Sequence, residues 1–183
     1  MRKFIFIVSV IICQTIFGQI SDITSEDMSS TIVNTDSVSR YRGLRQQIVE
    51  IIRHDIYAVC SSMKFCYEYE ADKFRNRQNL DSVFLSLGEA IKQQMRPEIL
   101  ACFYEKEGTL LCEMLASTND GIVRKVTFAL KNTIADMMTD DDFMEIGNVV
   151  YGTKLRPDTS ISHGRVKMMG VVMRARKNKT QNQ

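Results

Sequence analysis

Apolar side chains recurring at steps of three and four constrain this chain more than any other feature, because only a helix gathers such positions onto one face. Leu44, Ile48, Ile51 and Ile52 run on with that spacing into Ile56, Val59, Met63 and Cys66 and predict one long helix. A second starts at Asn79 or Asp81, either of which can cap free backbone N–H groups, and carries Val83, Phe84, Leu87, Ala90, Ile91 and Met95. Pro97 ends that helix or opens the next. From Pro97 to Ala116 the stripe is Leu100, Phe103, Leu110, Leu111 and Met114, with Gly108 a weak point that splits the segment. After the turn signal Asn119-Asp120-Gly121, the residues Val123, Val126, Leu130, Ile134, Met137 and Met138 predict a fourth helix. Thr139 and Asp142 then form a capping box ahead of Phe143, Ile146, Val149 and Val150. The stretch 165–174 fits helix or short strand, and helix is preferred because a lone strand would lack a partner.

The first eighteen residues stand outside this pattern. Arg2-Lys3, an apolar run from Phe4 to Cys13 and a small residue at Gly18 describe a secretory signal peptide, too short to span a bilayer. Cleavage after Gly18 leaves Gln19 as the first mature residue. Residues 19–39 are crowded with Ser, Thr and Asp and predict a disordered leader, residues 40–175 a single helical domain, and residues 176–183 a basic, polar tail. Localisation is therefore expected to be extracellular.

Cleavage removes Cys13 and leaves Cys60, Cys66, Cys102 and Cys112, which in an oxidising compartment predict two disulfides. If the first and third helices pack antiparallel, Cys60 faces Cys112 and Cys66 faces Cys102. The spacings match neither a zinc knuckle nor a redox CxxC pair, and the chain has 2 histidines, so no metal centre is expected. The fold class that follows is all-α: a small disulfide-stapled bundle of four to five helices with a disordered N-terminal arm and a basic C-terminal tail.

Charge is nearly balanced, 24 basic against 22 acidic residues, but no acid follows Asp158. Arg165, Lys167, Arg174, Arg176, Lys177 and Lys179 all fall beyond it, interleaved with Val and Met, and form a candidate weak contact for an anionic surface; nucleic acid is not an expected partner. Asn178-Lys179-Thr180 is the glycosylation sequon, so the chain reads as a glycoprotein modified at Asn178. Its 11 methionines suit an irregular core better than a binding surface.

Signals of chemistry are sparse. His54-Asp55 is similar to the His–Asp pair of secreted phospholipases A2, but Ile56-Tyr57-Ala58 follow it and no glycine- and cysteine-rich calcium loop precedes it, so a capping or surface role is expected. Asp140-Asp141-Asp142 with Glu145 lacks the alternation and glycine of an EF-hand and fits the positive end of a helix dipole. No nucleophile elbow, zinc-protease, P-loop or dinucleotide motif occurs, and His163 sits in a predicted loop. The expectation is a secreted, non-enzymatic interaction protein without cofactor, acting by protein–protein contact as an extracellular ligand, modulator or effector with an exposed apolar or charged patch. The alternative is an extracellular carrier of a lipid or other hydrophobic small molecule, which requires an apolar cavity within the bundle.

Overall fold

Four of the seven residues in Gln46–Ile52 are β-branched, and the buried ones on the core side alternate as Gln47, Val49 and Ile51. That is the pattern of a strand, and the computed structural model, which describes residues 35–57, 63–161 and 164–175, builds a sheet on it. The strands are β1 (Ser37–Arg42), β2 (Gln46–Ile52), β3 (Thr109–Ser117), β4 (Val123–Lys131) and β5 (Arg165–Arg174). They pair antiparallel throughout, in the order β1-β2-β4-β3-β5. The helices are α1 (His54–Tyr57), α2 (Glu68–Arg77), α3 (Leu80–Gln94), α4 (Pro97–Glu105), α5 (Asn132–Ala135) and α6 (Asp140–Tyr151). The expected all-α bundle is thus replaced by an α/β fold. Part of the predicted leader is strand, because β1 begins at Ser37, and the stretch 165–174 does find a strand partner, pairing with β3 from Thr109 to Ser117.

Register places side chains in rows across the sheet. Arg40, Val49, Phe128, Cys112 and Gly170 form one row, and Val38, Ile51, Val126, Met114 and Met168 the next. Val49, Phe128, Cys112, Ile51, Val126 and Met114 are fully buried and share one core with Phe74, Ile91, Ile99, Phe103, Ile134 and Phe143 from the helices. Alternation sends Glu50, Lys125, Glu113 and Lys167 to the other face, where Lys125 pairs with Glu50 at 2.8 Å and Lys167 with Glu113 at 3.2 Å.

Helix ends obey local chemistry. Pro97 occupies the first turn of α4, and that helix closes in a Schellman arrangement: Glu107 takes a positive φ of 51°, Gly108 N–H donates to Phe103 O at 2.7 Å and Glu107 N–H to Tyr104 O at 3.3 Å. Gly108 is therefore the junction of helix and strand rather than a weak point within a helix. Thr139 and Asp142 make the expected capping box at α6. Arg40 donates to Ala135 O and Met138 O, and Arg42 and Gln47 converge on Asp136, so strand cations close the turn after α5.

The outer edge of β5 is covered at several points. Arg165 N–H donates to Lys64 O at 3.0 Å, Cys66 N–H to Arg165 O at 3.1 Å, and Arg75 Nε to Lys167 O at 3.1 Å. Further along, α3 meets the strand at Gly88, where an added Cβ would lie 1.9 Å from Val172 O.

The predicted bridges are not made. Cys66, Cys102 and Cys112 are free thiols, and Cys60 lies outside the described residues. The nested pairing required Cys102 and Cys112 at two ends of one helix; instead Cys102 is on α4 and Cys112 sits mid-strand, its side chain in the core. Apolar burial between sheet and helices holds the fold instead.

Candidate functional site

Two surface features remain once the core and caps are accounted for. The first is an aromatic corner. The bonds between Lys64–Cys66 and Arg165 hold Phe65 beside β5, and the Arg165 guanidinium lies over the Phe65 ring at 4.1 Å. The next residues start α2, with Tyr67 N–H donating to Glu70 Oε2 at 3.3 Å. Phe65, Tyr67 and Tyr69 are 58 %, 82 % and 81 % exposed. Between them, partial burial and the nearby Glu70 carboxylate raise the pKa of the Cys66 thiol, against a smaller opposing effect of the Thr118 hydroxyl. The thiol stays protonated at neutral pH and is a poor nucleophile.

The second is a groove between α3 and the segment after α6. One concavity of about 470 Å³ is lined by Asn79, Ser82 and Ser86 of the α3 side and by Thr153, Lys154 and Arg156 opposite, with Val83 and Val149 also lining it. A second, of about 320 Å³, shares Gly152, Thr153 and Lys154 and continues to Asp120 and Ile122. The wall carrying the cations is pinned from several sides. Gln78 donates from Nε2 to Arg156 O at 2.9 Å and accepts from Arg156 N–H at 2.8 Å; Arg77 pairs with buried Asp158 at 2.6 Å; Lys73 donates to Ser160 Oγ at 3.0 Å; and Asp158 N–H donates to Thr118 O at 2.8 Å. Gly121, at φ +68°, lets the β3–β4 turn press against Leu155 O. Both concavities are open to solvent and mixed in polarity, unlike the enclosed apolar cavity a lipid carrier requires.

The residues singled out by sequence do not converge. His54 opens α1, its backbone N–H donating to Asp36 Oδ1 at 2.9 Å, and His163 lies outside the described residues. Asp140 pairs with Arg40 and Asp142 with Arg96, so these acids hold the fold together. Arg165, Lys167 and Arg174 belong to β5: the first stacks on Phe65, the second pairs with Glu113 and the third is exposed. Arg176, Lys177, Lys179 and the sequon at Asn178 lie outside the described residues, as do residues 1–34, which hold the predicted signal and most of the predicted leader. Among the described residues no helix is long and apolar enough to cross a membrane, and no cluster of three or more His, Cys, Asp or Glu could hold a metal ion.

The signal for the aromatic corner was present in Phe65-Cys66-Tyr67-Glu68-Tyr69, three aromatics in alternate positions that a strict helical stripe does not bury together. The groove had no local signal, since its walls come from segments some seventy residues apart in sequence. No protein-family model, no curated protein and no solved structure matches the chain.

Proposed function

We propose that this is a secreted, non-enzymatic interaction protein that binds another extracellular protein through the corner formed by Phe65, Tyr67 and Tyr69. The exposure of three aromatics within five residues carries the reading. Each of the three is more than half exposed, and aromatic surface left in water is the kind that marks interaction sites. Tyrosine supplies large contact area with few torsions to freeze, and tyrosine and arginine dominate binding hot spots. Arg165, held on the Phe65 ring, adds a cation at the rim. Secretion rests on the basic and apolar start of the chain, residues 1–18.

Two experiments test this. Expression of the full chain in a secretory host, followed by mass spectrometry of the medium, is expected to yield a product starting at Gln19; a cell-retained product with Met1 intact rejects the extracellular assignment. Wild-type protein and a Tyr67→Ser/Tyr69→Ser variant, immobilised and exposed to extracellular fluid from the source tissue, are then compared. A protein retained by the first, lost by the second and bound directly after purification supports the corner. Identical retention by both removes it.

A further inference from the structure

Cations in this fold are mostly spoken for. Arg40, Arg42, Arg75, Arg77, Arg96, Arg124, Lys125 and Lys167 each reach a carboxylate within 4.0 Å. Lys154 and Arg156 are exposed and have no described hydrogen-bond or ion-pair partner for their side chains, and both line the groove beside α3. Arg45, Lys64, Lys73, Lys131 and Arg174 also have no carboxylate among the described residues but line neither concavity. The acids at that end are largely neutralised: Asp158 by Arg77 and Asp120 by Arg124, leaving exposed Asp81 in the first turn of α3.

We propose that this groove binds an extended acidic peptide segment of a protein partner, with Lys154 and Arg156 pairing with its carboxylates. Three features favour a peptide over a compact anion. The two concavities share Gly152, Thr153 and Lys154 as lining, so Lys154 borders both. Lys154 and Arg156 are two residues apart in a segment without helix, and Pro157 holds Arg156 to extended backbone, so their Cα atoms lie at most about 7 Å apart. Alternate side chains of an extended peptide repeat at about that distance on one face. Ser82, Ser86 and Thr153 line the same walls and offer hydroxyls to a peptide backbone. Because Gln78, Arg77 and Lys73 already fix the cationic wall, little ordering cost falls on binding.

The probe is a fluorescein-labelled octapeptide of alternating glutamate and leucine, followed by anisotropy. Binding is expected to saturate with a dissociation constant on the order of 100 µM at low salt and to weaken as salt rises. The reversal Lys154→Glu/Arg156→Glu is expected to lower affinity by about tenfold or more. Ser86→Tyr, which fills the groove without changing charge, is expected to weaken binding as well; all three residues are exposed, so far-UV circular dichroism is expected to be unchanged. The proposal is overturned if the octapeptide shows no saturable binding, if the reversal binds it as tightly as wild type, or if inorganic phosphate displaces it at concentrations where chloride does not, which marks a small-anion site.

Discussion

Replacing Gly88 by alanine tests how α3 is seated, because two effects of opposite sign compete there. In an exposed helix interior Gly→Ala stabilises by about 1 kcal/mol, since alanine restricts the unfolded chain and glycine does not. At Gly88 the new Cβ would sit 1.9 Å from Val172 O and 3.0 Å from Val172 C, both backbone atoms that no rotamer change removes. An ordinary C···O approach is about 3.3 Å or more, so α3 must move off β5 by about 1.4 Å. That shift pulls Phe84, Leu87 and Ile91 from a core in which each is at most 6 % exposed. Overpacking of this kind costs about 3 kcal/mol, which outweighs the helix gain and leaves a net loss of about 2 kcal/mol. In thermal melts the variant is expected to lose about 8 °C. Gly147→Ala is the internal control: its Cβ would meet Ile51 Cδ1 at 2.8 Å and Cγ2 at 3.2 Å, side-chain atoms that can yield by a few tenths of an ångström where backbone cannot. There a cost of about 1 kcal/mol and a gain of about 1 kcal/mol cancel, and the melting temperature is expected to hold within about 2 °C. A Gly88→Ala protein as stable as wild type, or equal losses in the two variants, refutes the argument.

Gln78→Ala removes a side chain that is 6 % exposed and bonds both Arg156 N–H and Arg156 O; the expected loss is about 2 kcal/mol, with faster amide hydrogen exchange along 154–160, and unchanged exchange there counts against the clamp. Acid is expected to loosen the same wall. Hydrogen bonds from Ser160, with Arg77 alongside, hold the Asp158 carboxyl below its ordinary value, and Arg42 does the same at Asp136. Folded pKa values below the unfolded ones contribute stability that is complete above the unfolded value of about 4 and lost as pH falls through the folded value. Denaturant melts from pH 6 to pH 2.5 should therefore show the gap between wild type and Asp158→Asn closing below about pH 4; a gap constant with pH contradicts the assignment.

The two kinds of element differed in how plainly they were written. Helices announced themselves at their ends: Pro97 in α4 and Thr139 with Asp142 at α6 stand where sequence placed them, and α3 does start after Asn79, although that residue takes a left-handed backbone and its side chain makes no capping bond. Strands were disguised because both faces of the sheet are partly buried. In β4, Val126 and Leu130 are spaced like a helix stripe, yet Phe128 between them completes a strand alternation, and Thr127 and Ala129 on the opposite face are buried too. When neighbours on both faces are apolar, a run satisfies periods of two and of 3.6 alike, and β-branched content is the better arbiter. Cysteine arithmetic failed for a related reason: an even count carries no geometry, and Cys112 is spent on the core. The aromatic corner is local, yet assigning Cys66 to a buried helical stripe passed over its exposed neighbours; the groove depends on tertiary placement and had no local signal.

Closing the outer side of β5 also bears on how the protein resists becoming a fibre. Met168-Met169-Gly170-Val171-Val172-Met173 is uncharged, free of proline and flanked by Lys167 and Arg174, the composition of a cross-β segment between gatekeepers. In the native state β3 pairs with it on one side, and on the other Lys64–Cys66 bond Arg165, Arg75 bonds Lys167 O and α3 packs on Val172, which leaves less of that edge open to a second copy. The opposite margin of the sheet, β1, is six residues long and ends in Arg40 and Arg42, whose charges are taken up by Asp140 and Asp136. Lifting α3 from β5 is therefore expected to uncover part of this segment.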